Sequence, residues 1–180
     1  MTNCTALFIG RRRPPARRAR NSPVALFIGR FQPFHKGHLA ALKYISARSA
    51  RVLVVIGSAQ EKGTAQNPFS ARERLAFVRA ALAEAHLSRK CKPYLLPDIP
   101  NDYEWTMYLD ARIPHYDICY SNNARVLKLM RRAGKEVARV PLVQRSRYSA
   151  TKIRERMRAK KEWRSRVPPS VAKALAKEGA

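Results

Sequence analysis

The chain has 180 residues, and its 37 basic residues against 12 acidic ones give a formal net charge of +25 at pH 7. An apolar fraction of 46% is typical of a packed core, and no apolar run reaches the roughly 18 residues of a membrane-spanning helix. We expect no secretory signal, because arginines follow the short apolar stretch near the N-terminus instead of preceding it. Three widely spaced cysteines predict neither a disulfide framework nor a zinc site, which favours a reducing, cytoplasmic setting.

Residues 1–23 are predicted to be a basic extension without fixed structure, because they hold six arginines and no acid. The segment "ALFIGR" occurs at 6–11 and again at 25–30, but only the second copy continues into "FQPFHKGH". We therefore place the folded domain at 24–180 and interpret the extension as an upstream start or a partial duplication. A basic arm with an electrostatic role is the alternative.

Beyond the extension, short apolar runs alternate with segments of helical spacing. Strands are predicted over 24–29, 51–57, 93–97, 116–121 and 135–141. Helices are predicted over 39–49, from 70 to about 85, over 102–113 and 123–133, from 149 to about 160, and over 170–177. "SARE" at 70–73 fits a capping box, and Ser149 is expected to cap the helix that follows it.

This alternation predicts an α/β protein with an open, doubly wound, Rossmann-like fold. Its sheet should be mostly parallel and five-stranded, with helices on both faces. Ligands in such folds bind beyond the carboxyl ends of the strands. The segments that directly follow the predicted strands are therefore the candidates for a functional site.

The first such segment, "GRFQPFHKGH" at 29–38, combines several features of a phosphate site. His35 and His38 are three residues apart at the mouth of a helix, so both imidazoles can face one point. Gly37 between them removes a side chain from the path of a ligand. A helix N-terminus attracts anions, and Arg30 adds a fixed cation with a fork of donors.

The same two histidines could instead be half of a metal site. A structural zinc site needs further Cys, His or carboxylate ligands at a useful spacing. His86 and His115 lie elsewhere in the sequence, and no HExxH motif occurs. We therefore expect no metal bound by protein side chains at this place.

"GRFQPFHKGH" resembles the (H/T)xGH signature of the nucleotidyltransferase superfamily, in the form found in archaeal-type nicotinamide-nucleotide adenylyltransferases. Those enzymes join nicotinamide mononucleotide to ATP and release NAD and pyrophosphate. The resemblance implies that His35 and His38 contact the ATP phosphates in catalysis, with Arg30 holding the triphosphate. It also implies ATP-binding positions at Gly29, Phe31 and Gly37.

A second segment, "RYSATKIRERM" at 147–157, resembles the SxTxIR motif of the same superfamily. The resemblance implies that Ser149 and Thr151 bind ATP and that Arg154 is catalytic. Taken without the family, the segment could be a capped surface helix. Ala150 stands where the family carries glycine, which is a small change.

Further stretches resemble the family between these motifs, including "NPFSARER" at 67–74 and "YSNN" at 120–123. By this resemblance Trp105 stacks on the nicotinamide ring, an attraction worth about 1–2 kcal/mol when desolvated. Ile99, Asn123 and Asp102 would complete the mononucleotide site. A tryptophan on the buried face of a helix is the alternative for Trp105.

Three positions depart from the family pattern. Gln66 stands where some relatives carry a phosphate-binding arginine, and Asn122 replaces a glycine. Asp102 replaces an asparagine, with Asn101 one position earlier. These changes concern the second substrate more than ATP.

The predicted function is therefore adenylyl transfer from ATP to nicotinamide mononucleotide, with Mg²⁺ carried by the triphosphate, in a homo-oligomeric protein. A related nucleotidyltransferase with a flavin, pantetheine or glycerol type of acceptor is one alternative, and a non-catalytic nucleic-acid-binding derivative is another. We do not expect nucleic acid as the main partner. Basic residues are scattered along the sequence, and no run of aromatics accompanies them as a base-stacking surface would require.

Overall fold

The computed structural model describes residues 22–177. The first copy of the repeated strand and nearly all of the predicted extension lie outside the described residues. Five strands form one sheet: β1 (Val24–Gly29), β2 (Arg51–Ile56), β3 (Cys91–Leu95), β4 (Ile118–Tyr120) and β5 (Glu136–Ala138). The helices are α1 (Lys36–Ser46), α2 (Ala71–Glu84), α3 (Asp102–Arg112), α4 (Ala124–Arg132), α5 (Ala150–Arg158) and α6 (Pro169–Lys177), with a 3₁₀ turn at Arg164–Arg166.

All neighbouring strands are parallel, in the order β3-β2-β1-β4-β5, which confirms the predicted doubly wound fold. The central strand β1 pairs with β2 on one side and with β4 on the other. The chain thus runs outward to β3 and then returns to the far side of β1. Ligands bind at such a reversal point, beyond the carboxyl ends of the strands.

The sheet separates two apolar clusters. Side chains alternate along β1, so Ala25 and Phe27 join one cluster while Leu26 and Ile28 join the other. Helices α1, α2, α5 and α6 supply the first cluster, and α3 and α4 supply the second. Both faces of the sheet are covered, as the apolar character of the strands predicts.

The observed boundaries differ from the predicted ones where local caps decide them. Helix α1 begins at Lys36, three residues earlier than predicted, because His35 caps it. The capping box of α2 is confirmed: Ser70 N–H donates to Glu73 at 2.8 Å, and Glu73 N–H donates back to the Ser70 hydroxyl at 3.3 Å. Ser149 does occupy the N-cap position of α5, but its side chain makes no cap hydrogen bond, so that part of the prediction was wrong.

None of the helices described between residues 22 and 177 is both long enough and apolar enough to cross a bilayer.

Candidate active site

A cleft of about 990 Å³ opens at the carboxyl edge of the sheet. Its wall is built from segments that follow the strands: Gly29 and Arg30 after β1, Gly57 and Ser58 after β2, Asp98 and Ile99 beyond β3, residues 121–123 after β4, and residues 139–143 after β5. His35 and His38 at the start of α1 and Ser149 at the start of α5 complete it. Two helix N-termini therefore border one cavity, which suits a ligand with several phosphates.

The two histidines cap α1 reciprocally. The main-chain N–H of His38 donates to Nδ1 of His35, and the main-chain N–H of His35 donates to Nδ1 of His38, each at 3.3 Å. Their rings are stacked, with centroids 3.6 Å apart and planes inclined by 18°. Both side chains line the cleft. Because each ring accepts from the backbone through Nδ1, Nε2 remains as its second ring nitrogen.

This arrangement sets the protonation state of the pair. A ring nitrogen that accepts a hydrogen bond carries no proton, so each neutral ring holds its proton on Nε2. Burial lowers the pKa of His35 from 6.5 to about 4. Burial, together with repulsion from His35, lowers the pKa of His38 well below its usual value. Near pH 7 the pair therefore provides two neutral N–H donors and no positive charge.

Two glycines are required because the loop folds tightly on itself. A Cβ atom at Gly37 would lie 3.0 Å from the ring of His35 and 3.2 Å from Cβ of Tyr148. A Cβ atom at Gly29 would lie 3.2 Å from the ring of Phe31. In a close-packed interior, larger residues at either position would displace these rings.

Phe31, which the resemblance assigns to ATP binding, lies beneath the site and outside the cleft wall. It is 1% exposed, and its ring packs edge-on against His38 at a centroid distance of 4.8 Å. Phe34 contacts the same imidazole at 5.5 Å. The two phenylalanines therefore fix the orientation of His38 and keep water from its buried side.

Arg30 is exposed and lines the cleft. One of its guanidinium nitrogens donates to Oδ1 of Asn67 at 3.3 Å, and Asn67 itself is buried in the same wall. The Asn67 loop is closed by two further bonds with Thr64. Arg30 is thus a cation held in the cleft wall by a supported neighbour, and its fork of donors suits a phosphate.

Arg74 is fully buried, and its hydrogen bonds hold the ends of two strands. Its guanidinium donates to the main-chain carbonyls of Gly57 at 2.8 Å, Ser58 at 2.9 Å and Arg30 at 3.0 Å. Burial, followed by repulsion from Arg30, lowers the pKa of Arg74. The fork of donors on an arginine can bridge several carbonyls at once, so Arg74 fixes the loop that carries Arg30 relative to β2.

Arg154 makes a comparable brace from the other end of the chain. It is 8% exposed and donates to the carbonyls of Gln32 at 2.8 Å and Ala65 at 3.3 Å. A third donor reaches the Thr151 hydroxyl at 3.4 Å. The second motif therefore contacts the histidine loop directly, although Arg154 and Thr151 lie outside the residues that line the cleft.

The residues assigned to the mononucleotide lie on the opposite side of the cleft. Trp105, Ile99 and Asn123 line it, and Trp105 is also packed into the apolar cluster beneath α3. The alternative of a tryptophan on the buried face of a helix is therefore supported, since Trp105 is 7% exposed, and its stacking on a nicotinamide ring stays a prediction. Asn123 caps α4 by accepting from the main-chain N–H of Arg125 at 2.9 Å.

The three residues that depart from the family pattern lie at different places relative to the cleft. Asp102 is exposed, lies outside the cleft wall and forms an ion pair with Arg125, which does line the cleft. This carboxylate raises the pKa of Arg125. Asn122 lines the cleft and donates to the carbonyl of Val140 at 3.1 Å. Gln66 is exposed and lies outside the wall.

Four residues of the site escaped the sequence reasoning: Gln32, Asn67, Arg74 and Arg125. Gln32 pairs with the backbone of Phe69 through both ends of its amide, at 2.8 and 3.0 Å, and so joins the histidine loop to the start of α2. Asn67 and Arg74 lie in the stretch "NPFSARER", whose resemblance to the family was a signal that they belong to the site. Only their contacts in the structure show what they do.

No group of three or more Cys, His, Asp or Glu residues able to hold a metal ion occurs within residues 22–177. The cleft wall does contain Glu61 and Asp98. The donor set is instead dominated by arginines and N–H groups, which suit an anionic ligand.

Comparison with known proteins agrees with this geometry. The model of the cytidylyltransferase-like family matches residues 26–156. The chain belongs to this family. Within the family, it is 40% identical over 152 residues to the nicotinamide-nucleotide adenylyltransferase of Pyrococcus furiosus, covering 83% of this chain and 81% of that protein. The enzyme of the same name from Methanosarcina barkeri is 40% identical over 153 residues, with 84% and 86% covered.

Among solved structures, the chain resembles a bifunctional NMN adenylyltransferase/ADP-ribose pyrophosphatase from Francisella tularensis, complexed with AMP and a manganese ion. The TM-score is 0.66 at 22% identity, over 82% of this chain and 44% of that protein. This chain thus spans less than half of the bifunctional protein. The likeness supports the cytidylyltransferase-like fold.

Proposed function

We propose that the protein transfers the adenylyl group of ATP to nicotinamide mononucleotide, giving NAD and pyrophosphate. The observation that supports this most directly is the stacked His35–His38 pair, which shares one cleft with Arg30 and Ser149. Relatives that carry the name of this activity match more than four fifths of the chain.

The two halves of the cleft suit the two substrates. The triphosphate would lie over the start of α1, against Arg30, His35, His38, Gly37 and Ser149. The mononucleotide would lie towards Trp105, Ile99 and Asn123, where an indole face suits a flat cationic ring. Arg125, held by Asp102, provides a cation on that side.

The chemistry needs no protein nucleophile. The 5′-phosphate oxygen of the mononucleotide attacks the α-phosphorus of ATP in line, a new P–O bond forms, and the bond to the bridging oxygen of pyrophosphate breaks. Negative charge shifts onto the leaving pyrophosphate, and the number of protons is unchanged. Catalysis therefore rests on positioning and on donors preorganised for the developing charge.

His35 and His38 would stabilise that charge as neutral Nε2–H donors. A neutral donor in a dry site contributes through a fixed hydrogen bond and needs no proton transfer. Arg30 would supply the positive charge. Arg154, Thr151 and Phe31 would act through the loop that they hold, because none of the three lines the cleft.

The ATP substrate would arrive as its magnesium complex. Mg²⁺ keeps several waters and binds substrate phosphates in many nucleotide enzymes, so it needs few protein carboxylates. Glu61 and Asp98 are the carboxylates in the cleft wall that could contact its waters. A cytoplasmic location and a homo-oligomeric state are part of the same proposal.

The deciding experiment is an acceptor test. The purified chain is given ATP and Mg²⁺ with nicotinamide mononucleotide, nicotinate mononucleotide, FMN or phosphopantetheine, and pyrophosphate release is measured. We expect release with nicotinamide mononucleotide, accompanied by NAD. Release with only FMN or phosphopantetheine would assign the chain to a sister activity, and no release with any acceptor would overturn the enzymatic proposal.

A further inference from the structure

The segment from residue 145 to residue 166 carries an excess of positive charge, of which only Arg145 lines the cleft and only Arg154 braces the histidine loop. It holds ten basic residues and two acidic ones, Glu155 and Glu162. Arg154 turns inward at 8% exposure, and the other nine basic residues are exposed or half-buried. We call five of these nine the C-terminal basic surface: Lys152, Arg156, Lys161, Arg164 and Arg166.

Three cations of this surface line a crevice of about 310 Å³ that shares no lining residue with the cleft. Lys152, Arg156 and Arg166 line the crevice together with Ser146 and Glu155. None of these five residues lines the large cleft. The charges therefore belong to a second concave place on the molecule.

Hydrogen bonds fix the framework that carries the surface. Nε of Arg156 donates to the carbonyl of Glu162, and one terminal nitrogen of Arg166 donates to the carbonyl of Arg147 at 2.8 Å. Glu162 accepts from the N–H and hydroxyl of Ser165 at 2.8 and 2.9 Å. Helix α5 and the 3₁₀ turn thus form one braced unit, in which Arg156 and Arg166 have set positions.

The cations of this surface form no ion pair with a carboxylate among the described residues. The ion pairs within residues 22–177 join His115 to Asp117, Arg125 to Asp102 and Lys135 to Asp110, and none of them involves the surface. Nε of Arg166 is buried without a hydrogen-bond partner among the described residues. Glu155 lines the same crevice and Glu162 interacts with Arg156 and Arg166, but the cations outnumber these two carboxylates, and a net positive charge attracts a polyanion and opposes self-association.

We propose that the C-terminal basic surface binds double-stranded nucleic acid through its phosphates, independently of base sequence. The aromatic residue of this unit, Trp163, is 5% exposed, so it offers no face on which bases could stack. Single-stranded binding relies on such stacking, whereas a duplex presents a dense and regular row of phosphates to fixed cations. The sequence as a whole argued against nucleic acid because basic residues are scattered along it, but these five lie within residues 152–166, on α5, the 3₁₀ turn and the residues between them.

The test measures binding of a labelled DNA duplex of about 20 base pairs to the full chain by fluorescence anisotropy, between about 50 and 200 mM salt. A variant combining Lys152→Gln, Lys161→Gln and Arg164→Gln should make the slope of log affinity against log salt less steep by about 2 to 3. Its affinity near 100 mM salt should fall about tenfold or more. The rate of adenylyl transfer should stay within about twofold, because none of the three residues lines the cleft.

The matched control removes the same charge from the opposite face of the sheet. This control variant combines three substitutions at exposed positions of α4: Lys128→Gln, Arg131→Gln and Arg132→Gln. It should leave the salt slope nearly unchanged. Equal weakening by both variants would assign the binding to net charge and overturn the local surface. Absence of duplex binding near 50 mM salt, or tighter binding of single strands, would overturn the proposed ligand. Each of these results is independent of whether the protein makes NAD.

Discussion

At the scale of single residues, the site depends on two imidazoles, each with its Nδ1 already engaged by the backbone. Each Nδ1 accepts from the backbone of the partner histidine, and each ring is kept neutral by burial. The spacing of His35 and His38 was enough to predict that both face one point. Their tautomer and their neutrality depend on the stacked geometry and on the phenylalanines around them, which spacing does not reveal.

Replacing His38 by alanine should lower turnover far more than it weakens ATP binding. Removing one preorganised donor from a site of developing charge lowers kcat by about 100- to 1,000-fold, whereas the KM for ATP should change less than about fivefold. Steady-state kinetics with nicotinamide mononucleotide measures both. His115→Ala, at an exposed position away from the cleft, is the control and should behave like the unaltered protein. Equal losses in kcat and ATP binding would contradict a transition-state role.

Acidification should destabilise the fold through His35. The unfolded chain takes up a proton near pH 6.5 and the folded chain only near pH 4, so the unfolded state binds more protons between these values. The contribution of His35 to the free energy of unfolding is therefore fully present above pH 6.5. It is lost as the pH falls towards 4, by up to about 3 kcal/mol. Urea unfolding at several pH values measures the slope. His35→Asn keeps a capping side chain without a titrating group and should make the slope less steep, with His38 contributing to what remains. An unchanged slope would contradict the assignment.

At the scale of elements, loops from distant parts of the chain are joined by two buried arginines. Arg74 on α2 holds the ends of β1 and β2, and Arg154 on α5 holds the histidine loop. The sequence could place both on helices near the site, because each lies in a segment resembling the family. The direction in which each arginine side chain points could not be predicted, since a guanidinium at a helix start can equally face a ligand or a carbonyl.

Replacing Arg74 by methionine should loosen this edge of the sheet. Three buried or part-buried carbonyls would lose their donor, which lowers the free energy of unfolding by about 2–4 kcal/mol and kcat/KM by about tenfold or more. Arg74→Lys restores the charge without the fork and should recover part of each. Denaturant unfolding and kinetics measure the two effects. Arg79→Met, exposed on the same helix, should change neither, and a loss there as large as at Arg74 would refute the bracing role.

At the scale of the whole molecule, the sheet has one place for the repeated strand, and residues 24–29 occupy it between β2 and β4. The carbonyl of Pro23 still accepts from the N–H of Ala50 at 2.9 Å. Pro23, which the sequence places in the extension, thus contacts the residue before β2, and the boundary at 24 stays a prediction. A truncation should keep residues 22 and 23.

Deleting residues 1–21 should leave adenylyl transfer within about twofold of the full chain, because the cleft is built from residues 27–149. Parallel kinetics on the two proteins at low and high salt would show it. A large loss at low salt alone would favour the electrostatic arm, and a loss at every salt concentration would mean that the extension takes part in the fold or the site.

The sequence by itself determined the architecture and the location of the site. Apolar strands alternating with helices admit few arrangements other than a parallel sheet covered on both faces, and parallel strands bring the segments that follow them to one edge. Tertiary structure alone decided which polar groups face the cleft and which face the protein. Asp102 pairs with Arg125, Arg154 turns to a carbonyl, and Lys152, Arg156 and Arg166 meet at one crevice. The reason is physical: local pattern sets backbone conformation and burial, whereas the partner of a charged side chain depends on what the folded chain brings within about 3 Å of it.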